Sequence, residues 1–252
     1  MVDDTQMGGP GGQFPLTQWS AIVAARSDDQ QERSRAFGVL VAAYWKPVYK
    51  YTRIKWRKSN EDAKDLTQGF FTTALEKDFF SGYDPGKARF RTYLRTCLDR
   101  YIANYKKAGE RQKRGGNARI LSLDFENAEG EIKQMPLPDT EASMEQFFDQ
   151  EWLRSLFSIA VDTLNDLCQQ KGKTVHFEIF QKYDLEADNP DGKISYDALA
   201  EEYNLPATQI TNYLAFCRRE FRRIVLDKLR ELTSNDDEFR QEARLILGVD
   251  PE

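Results

Sequence analysis

The sequence is poor in the residues on which most catalytic and metal sites depend. Its 252 residues include one histidine, His176, and three cysteines, Cys97, Cys168 and Cys217. A single histidine excludes a His-rich metal site, and we expect His176 to be an ordinary helix residue rather than a member of a Ser-His-Asp triad. The cysteines are far apart in the sequence and form no Cys-x-x-Cys pair, so we expect free thiols in a reducing compartment. No catalytic residue, metal site or cofactor is therefore predicted.

Long apolar runs are missing as well. No stretch approaches the roughly 18 apolar residues that a membrane-spanning helix needs. Residues 1–14 are rich in glycine and have neither the basic nor the apolar region of a secretory signal, which predicts a flexible N-terminal tail. We therefore expect a cytoplasmic protein that does not enter a membrane.

Charge is distributed very unevenly, although the formal net charge is only −5. Residues 87–114 contain ten Lys or Arg and two Asp or Glu, a local net charge of +8. Residues 124–151 contain nine acids and one lysine, or −8, and residues 208–230 contain six bases and two acids, or +4. This order indicates two basic modules joined by an acidic tether, and the basic modules point to nucleic acid.

Nearly every segment has the apolar spacing of a helix, and no segment alternates as a strand does. The first helix is predicted to begin near Thr17, and Pro47 is expected to kink or divide the second. The next two helices are predicted over about 60–78 and 88–109. The predicted fold class is all-α, with two helical domains.

The predicted helix over 88–109 interleaves aromatic rings with its positive charges. Cations neutralise phosphates, and aromatic faces stack on unpaired bases at about 1–3 kcal/mol per base. Leu94, Leu98 and Ile102 are expected to be core residues of the same helix. A basic face that is simply solvated is the alternative to a nucleic-acid surface.

Residues 194–229 have the pattern of a helix-turn-helix (HTH). A first helix over 196–203 ends at the turn Asn-Leu-Pro-Ala, and a second is predicted to start with Thr208 as its N-cap. In this motif the second helix enters the major groove, and its early residues touch base edges. The expected DNA contacts are Thr208, Gln209, Thr211, Asn212, Arg218, Arg219 and Arg222. The expected packing residues are Leu199, Ala200, Ile210, Leu214 and either Phe216 or Phe221.

The run DLEADNPDGKIS, residues 184–195, has the glycine and the acids of a calcium loop but not its register. With Gly192 at the glycine position, Ala187 and Ala198 take the places of the two essential carboxylates. We therefore expect a solvated acidic turn and no bound calcium.

Three runs together resemble region 2 of the extracytoplasmic-function (ECF) sigma factors, a subfamily of the sigma-70 family of bacterial RNA polymerase. They are AYWKPVYKYTR at 43–53, NEDAKDLTQGFFTTALEKDFF at 60–80 and FRTYLRTCLDRYIANYKK at 90–107. The HTH is similar to region 4 of the same factors. The resemblance implies region 2 over 15–115, an acidic linker over 116–150, region 4 over 151–231, and a C-terminal extension over 232–252 that forms a short amphipathic helix.

The resemblance implies a promoter-specificity subunit rather than an enzyme, working in the bacterial cytoplasm. Its partners would be core RNA polymerase, through the clamp and flap, and promoter DNA, with a Ser/Thr kinase or an anti-sigma factor as candidate regulators. The implied core-binding residues are Glu61, Asp62, Lys64, Asp65 and Gln68. The loop over 81–89 would capture a flipped base of the −10 element. The implied −10 contacts are Tyr83, Lys87, Arg89, Arg91, Tyr93, Arg95, Arg100, Asn104, Lys106 and Lys107. Region 4 would read the −35 element as duplex, and the linker would follow the basic path of the nascent RNA.

Lys64 departs from the family pattern, which usually has an acid at this position. A charge reversal in a polar interface costs up to several kcal/mol, so we expect weak binding to core polymerase. Phosphorylation of Thr67, on the same helix, would add about −1.5 to −2 charge and restore the acidity, which makes Thr67 a candidate phosphosite. The alternatives are a tolerated lysine paired with Glu61 or Asp65, and a plain surface threonine.

Two other function classes compete with this one. An HTH regulator that binds duplex DNA without polymerase explains the C-terminal basic segment but not the acidic helix or the aromatic-rich basic helix. A nuclease using Asp62 and Asp65 would need further carboxylates, and no additional cluster is evident in the sequence.

Overall fold

The computed structural model describes residues 20–108, 123–135, 140–186 and 194–249. Over these ranges the chain is helical and has no strand, which confirms the predicted all-α class. The α-helices of these ranges are α1 (Ala21–Ala24), α2 (Gln30–Lys55), α3 (Asn60–Glu76), α4 (Phe90–Ala108), α5 (Phe125–Lys133), α6 (Glu141–Gln170), α7 (Thr174–Phe180), α8 (Tyr196–Glu202), α9 (Ala207–Glu231) and α10 (Asp236–Leu247). None of them is long and apolar enough to cross a bilayer.

Local sequence signals set several of the helix ends. Asp29 Oδ1 accepts a hydrogen bond from the Gln31 amide at 2.7 Å at the start of α2. Ser59 Oγ accepts one from the Asp62 amide at 3.1 Å at the start of α3. Gly248, with φ of 65°, ends α10 in the left-handed conformation that glycine adopts without strain. These are the polar N-caps and the glycine C-cap that helix ends favour.

Two predicted boundaries differ in the structure. The first helix, α1, is capped by Ser20, and Thr17 lies outside the described residues. The break predicted at Pro47 does not divide α2, which continues to Lys55. Proline removes one helical hydrogen bond. The helix continues because the residues around Pro47, including Tyr44 and Val48, are buried against neighbouring helices.

Helix α2 is the centre of the molecule and packs against α6, α3, α1 and α5. Helix α6 also packs against α9, which in turn carries α7, α8 and α10. The long α6 therefore joins the N-terminal and C-terminal helices. Buried apolar side chains from α1 to α10 form one main cluster, and a second cluster joins Phe125 and Ala128 of α5 to Tyr49 and Ala63.

The acidic segment is folded onto α2 rather than extended. The ring of Phe125 on α5 lies 5.4 Å from that of Trp45 and 5.0 Å from that of Tyr49. Arg53 Nε donates to Glu129 Oε2 at 2.8 Å, so α5 is held by charge as well as by packing. The predicted linker over 116–150 therefore contains α5 and the first turns of α6, while 116–122 and 136–139 lie outside the described residues.

Two cysteines that are distant in the sequence meet inside the core. Cys168 on α6 and Cys217 on α9 are fully buried, and their side chains interact with each other. Burial, followed by the neighbouring Cys168 thiol, raises the pKa of Cys217 to about 12. All three cysteines are free thiols, as predicted.

Candidate nucleic-acid interface

A cleft of about 550 Å³ opens beside the C-terminal half of α4. The end of α3 and the short 3-10 turn Phe79–Gly82 form its other walls. Its lining residues are Thr73, Lys77, Phe79, Tyr93, Cys97, Arg100, Tyr101, Asn104 and Tyr105. Four of the nine are aromatic and two are cations, which is the composition that suits an unstacked base with its phosphate nearby.

The aromatic walls of the cleft are held by specific contacts. The Tyr93 hydroxyl donates to the Phe79 carbonyl at 2.6 Å. The rings of Tyr101 and Tyr105 lie 6.3 Å apart at 33° to each other, and Tyr105 is half exposed at the rim. Gly69 makes room for Tyr101, because a Cβ on Gly69 would lie 2.5 Å from the Tyr101 hydroxyl oxygen. Tyr93 and Tyr101 are therefore held in place by the protein, while Tyr105 remains open to solvent.

The electrostatics of the cleft favour an anion. Burial raises the pKa of Tyr93 to about 12 and also raises the pKa of Cys97 and of Tyr101. These groups are therefore neutral at physiological pH. The charges that line the cleft are those of Lys77 and Arg100, both exposed and both positive.

The N-terminal half of α4 is arranged differently from the cleft. Arg91 is buried, with Nε 2.9 Å from Asp149 Oδ1 and the guanidinium 4.7 Å from the centre of the Trp152 ring. Arg95 is paired with Glu145 on α6. Lys87 Nζ lies 3.2 Å from Asp84 Oδ2, and both groups are well exposed.

The predicted −10 contacts therefore fall into two groups. Arg100, Asn104 and the edge of Tyr93 lie at the open cleft. Tyr83 and Arg91 are buried, so neither side chain faces solvent here, and their contact with DNA stays a prediction. The side chains of Lys106 and Lys107 lie outside the described residues.

Helix α3 presents an exposed acidic face formed by Glu61, Asp62 and Asp65. Lys64 lies among them, and its Nζ is 3.1 Å from Glu61 Oε1. Gln68 is half buried at the edge of the face. The opposite side of the helix is core, with Ala63, Leu66 and Phe70 buried as expected.

Thr67 is not on the surface of α3. Its side chain is fully buried, and among the described residues its hydroxyl has no hydrogen-bond partner. The register gives the reason, because Thr67 follows Ala63 by four residues and precedes Ala74 by two turns on the same buried stripe. A kinase would reach Thr67 only if α3 left the core.

Two helices joined by a short turn form where the HTH was predicted. Helix α8 and helix α9 are joined by a short turn in which Asn204 has φ of 51°. The N-cap of α9 is Pro206 rather than Thr208, so α9 starts earlier than predicted and Thr208 lies in its first turn. Leu199, Ile210 and Leu214 are buried as expected, while Ala200, Phe216 and Phe221 are half buried against the core.

The predicted base contacts of α9 are exposed on one face at its start. They are Thr208, Gln209, Thr211 and Asn212. Further along the helix, Arg219 and Arg222 are also exposed. Arg218 is engaged by Asp184, with its Nε and Nη2 each donating to a carboxylate oxygen at 2.8 Å.

No family model, no curated protein and no solved structure matches this chain.

The acids that cover α4 were not predicted from the sequence. Glu238 and Glu242 of α10 contact the loop before α4 and the first turn of α4. On α6, Glu145 pairs with Arg95 and Asp149 pairs with Arg91. The available signal was the amphipathic spacing of α10, which has acids at 238 and 242 beside the buried Phe239 and Ala243. That pattern predicts a docked helix but not the surface on which it docks.

Proposed function

We propose that the protein is a promoter-specificity subunit of bacterial RNA polymerase, of the ECF sigma type. The cleft on α4 carries the proposal, because its aromatic walls and two cations suit a base extruded from a melted duplex. In this proposal residues 15–115 are region 2 and residues 151–231 are region 4. The protein directs transcription only together with core polymerase and performs no covalent chemistry itself.

Each exposed surface then has a role. The acidic face of α3 binds the basic clamp of the largest polymerase subunit, with Gln68 at its edge. Arg100 and Asn104 contact the non-template strand of the −10 element beside the cleft. Gln209 and Asn212 read adenines of the −35 element in the major groove, since their amides pair with the N6 and N7 positions.

Lys64 weakens binding to the polymerase in this proposal. Its pairing with Glu61 neutralises one carboxylate of a face that must attract a basic partner. Phosphorylation of Thr67 is not part of the proposal, because the hydroxyl is buried in the core.

Binding to core polymerase tests the proposal. We expect Lys64→Glu to bind core polymerase about tenfold or more tightly than the wild type, since one like-charge contact costs more than about 1.4 kcal/mol. Lys171→Glu is the matched control, because Lys171 is exposed at the end of α6, away from the acidic face. If neither the wild type nor Lys64→Glu binds core polymerase, the proposal fails.

A transcriptional regulator that acts without polymerase is the second candidate. The exposed polar face at the start of α9 favours it, because that face alone suffices to read duplex DNA. A footprint of the full-length protein alone on duplex DNA, insensitive to substitutions in the cleft, would support this candidate over the first.

A further inference from the structure

Helix α10 and the start of α6 cover one half of the basic helix α4 with carboxylates. The N-terminal half of α4 and the loop before it meet Glu238, Glu242, Asp149 and Glu145. The C-terminal half faces the open cleft instead. The same helix is therefore neutralised at one end and free to attract an anion at the other.

Glu238 occupies an anion site made by the start of α4. Its Oε1 accepts from the Tyr83 hydroxyl at 3.1 Å and from the Phe90 amide at 3.3 Å. Its Oε2 accepts from the amide and the hydroxyl of Ser234 at 2.8 and 2.7 Å. The first amides of a helix favour a negative group, and a phosphate oxygen suits them as well as a carboxylate does.

Glu242 supplies a second carboxylate to the same place. It is 1% exposed, and its Oε1 lies 3.1 Å from Arg89 Nε and 2.7 Å from Arg91 Nη1. Among the described residues, neither oxygen has a hydrogen bond of good geometry. Glu242 is therefore attracted to Arg89 and Arg91 by charge rather than by well-formed hydrogen bonds. A ligand whose oxygens are better placed can replace the Glu242 carboxylate.

Few fully buried apolar side chains hold α10 in this position. They are Phe239 and Ala243, with Ile246 and Leu247 half buried against the core, and Arg230 of α9 covers the ring of Phe239 at 4.2 Å. Leu245 is largely exposed. With two fully buried and two half-buried apolar side chains, α10 depends on its charged contacts to stay in place, so a ligand that takes over those contacts can release it.

We propose that α10 is an acidic latch that occupies a phosphate-binding site on α4. Glu238 and Glu242 stand in for DNA phosphates at Tyr83, Arg89, Arg91 and the first turn of α4. DNA that reaches the first turn of α4 displaces α10 and takes over these groups. This inference rests on the proposed function, because it takes α4 as the helix that binds single-stranded DNA.

The latch is tested with two full-length variants that remove the same charge from the same helix. Glu238→Gln/Glu242→Gln removes both carboxylates that reach α4. Asp236→Asn/Asp237→Asn removes two exposed carboxylates of the first turn that do not reach it. Circular dichroism is used to check that both variants keep the helical fold.

The readout is the Kd for a fluorescein-labelled single-stranded oligonucleotide of mixed sequence, at one fixed salt concentration. We expect Glu238→Gln/Glu242→Gln to bind the oligonucleotide about tenfold more tightly than the wild type. This is the gain in affinity when a closed state that holds about nine molecules in ten no longer competes with binding. The control pair is expected to change the Kd by less than about twofold. If both variants gain the same affinity for the oligonucleotide, the lower net negative charge explains the gain and the latch is overturned. If neither variant gains affinity, the latch is excluded.

Hydrogen exchange over 236–247 separates failure of the latch from failure of the proposed function. We expect the amides of α10 to lose protection when the wild type binds the oligonucleotide. If the oligonucleotide binds and α10 stays protected, the latch is overturned and the DNA-binding role of α4 stands. If no form of the protein binds single-stranded DNA, with or without core polymerase, the proposed function fails and the latch fails with it.

Discussion

The buried ion pair of Lys50 gives a direct test of how the acidic segment is attached. Lys50 on α2 and Glu151 on α6 each have about 1% of their side chain exposed, and Lys50 Nζ lies 2.5 Å from Glu151 Oε2. The same nitrogen lies 2.5 Å from Glu131 Oε2 on α5. One ammonium group therefore holds two helices of the acidic segment against α2.

The loss of stability expected for Lys50→Met follows from the burial of its ion pair with Glu151. Replacing Lys50 by Met leaves the Glu151 carboxylate in the interior, and breaking a buried pair from one side typically costs about 3–5 kcal/mol. Arg154 still pairs with Glu151, so we expect the lower end of this range, about 3 kcal/mol. For a chain of this size each kcal/mol lowers Tm by about 2–4 °C, which predicts a fall of roughly 6–12 °C.

The assay is thermal and urea-induced unfolding of the wild type, Lys50→Met, Glu151→Leu and the double variant. We expect the double variant to recover most of the lost stability, because apolar pairs commonly replace buried ion pairs without loss. Lys171→Met, at an exposed position, should change Tm little. A loss below about 1 kcal/mol for Lys50→Met, or a double variant as unstable as the worse single one, would refute this account of the attachment.

Four further outcomes follow from the structure. Tyr105→Ala, at the half-exposed rim of the cleft, should leave Tm nearly unchanged and weaken single-stranded DNA binding by about 1–3 kcal/mol, measured by fluorescence anisotropy. Asn212→Ala should cost about 1–3 kcal/mol at one base pair of the −35 element and leave affinity for other sequences unchanged, measured by competition with single-base variants of the site. Thr67→Asp should lower Tm rather than improve polymerase binding, because it places a carboxylate in the core. A hydrogen bond from Arg53 lowers the pKa of Glu129 to about 2, below its unfolded value, so its contribution to stability is present above about pH 5 and lost toward pH 2. Urea unfolding across that range should show the stability difference between wild type and Glu129→Gln shrinking as the pH falls.

Helix positions were predictable where the apolar spacing or the turn residues of a short segment determine them. The buried stripe of α3 follows from the spacing of Ala63, Leu66 and Phe70, and the HTH follows from the turn between α8 and α9. The burial of Thr67 was predictable from the same spacing, because Thr67 lies one helical turn after the buried Ala63. Only its hydroxyl suggested a surface position.

Contacts between distant segments were not predictable from one sequence. The acids over 124–151 indicate a solvated tether when counted alone, and only the fold shows that Lys46, Lys50 and Arg53 of α2 meet them. The burial of Arg91 has the same cause, since its partners come from α6 and α10. A positive charge in a sequence carries no information about which acid neutralises it.

Transcription with purified core polymerase tests the central claim most directly. The polymerase is incubated with a library of bacterial genomic fragments, with and without the protein, and the 5′ ends of the transcripts are sequenced. The proposed function predicts starts at a shared pair of upstream elements only when the protein is present, and fewer such starts with Tyr105→Ala. Identical start sites with and without the protein would contradict it.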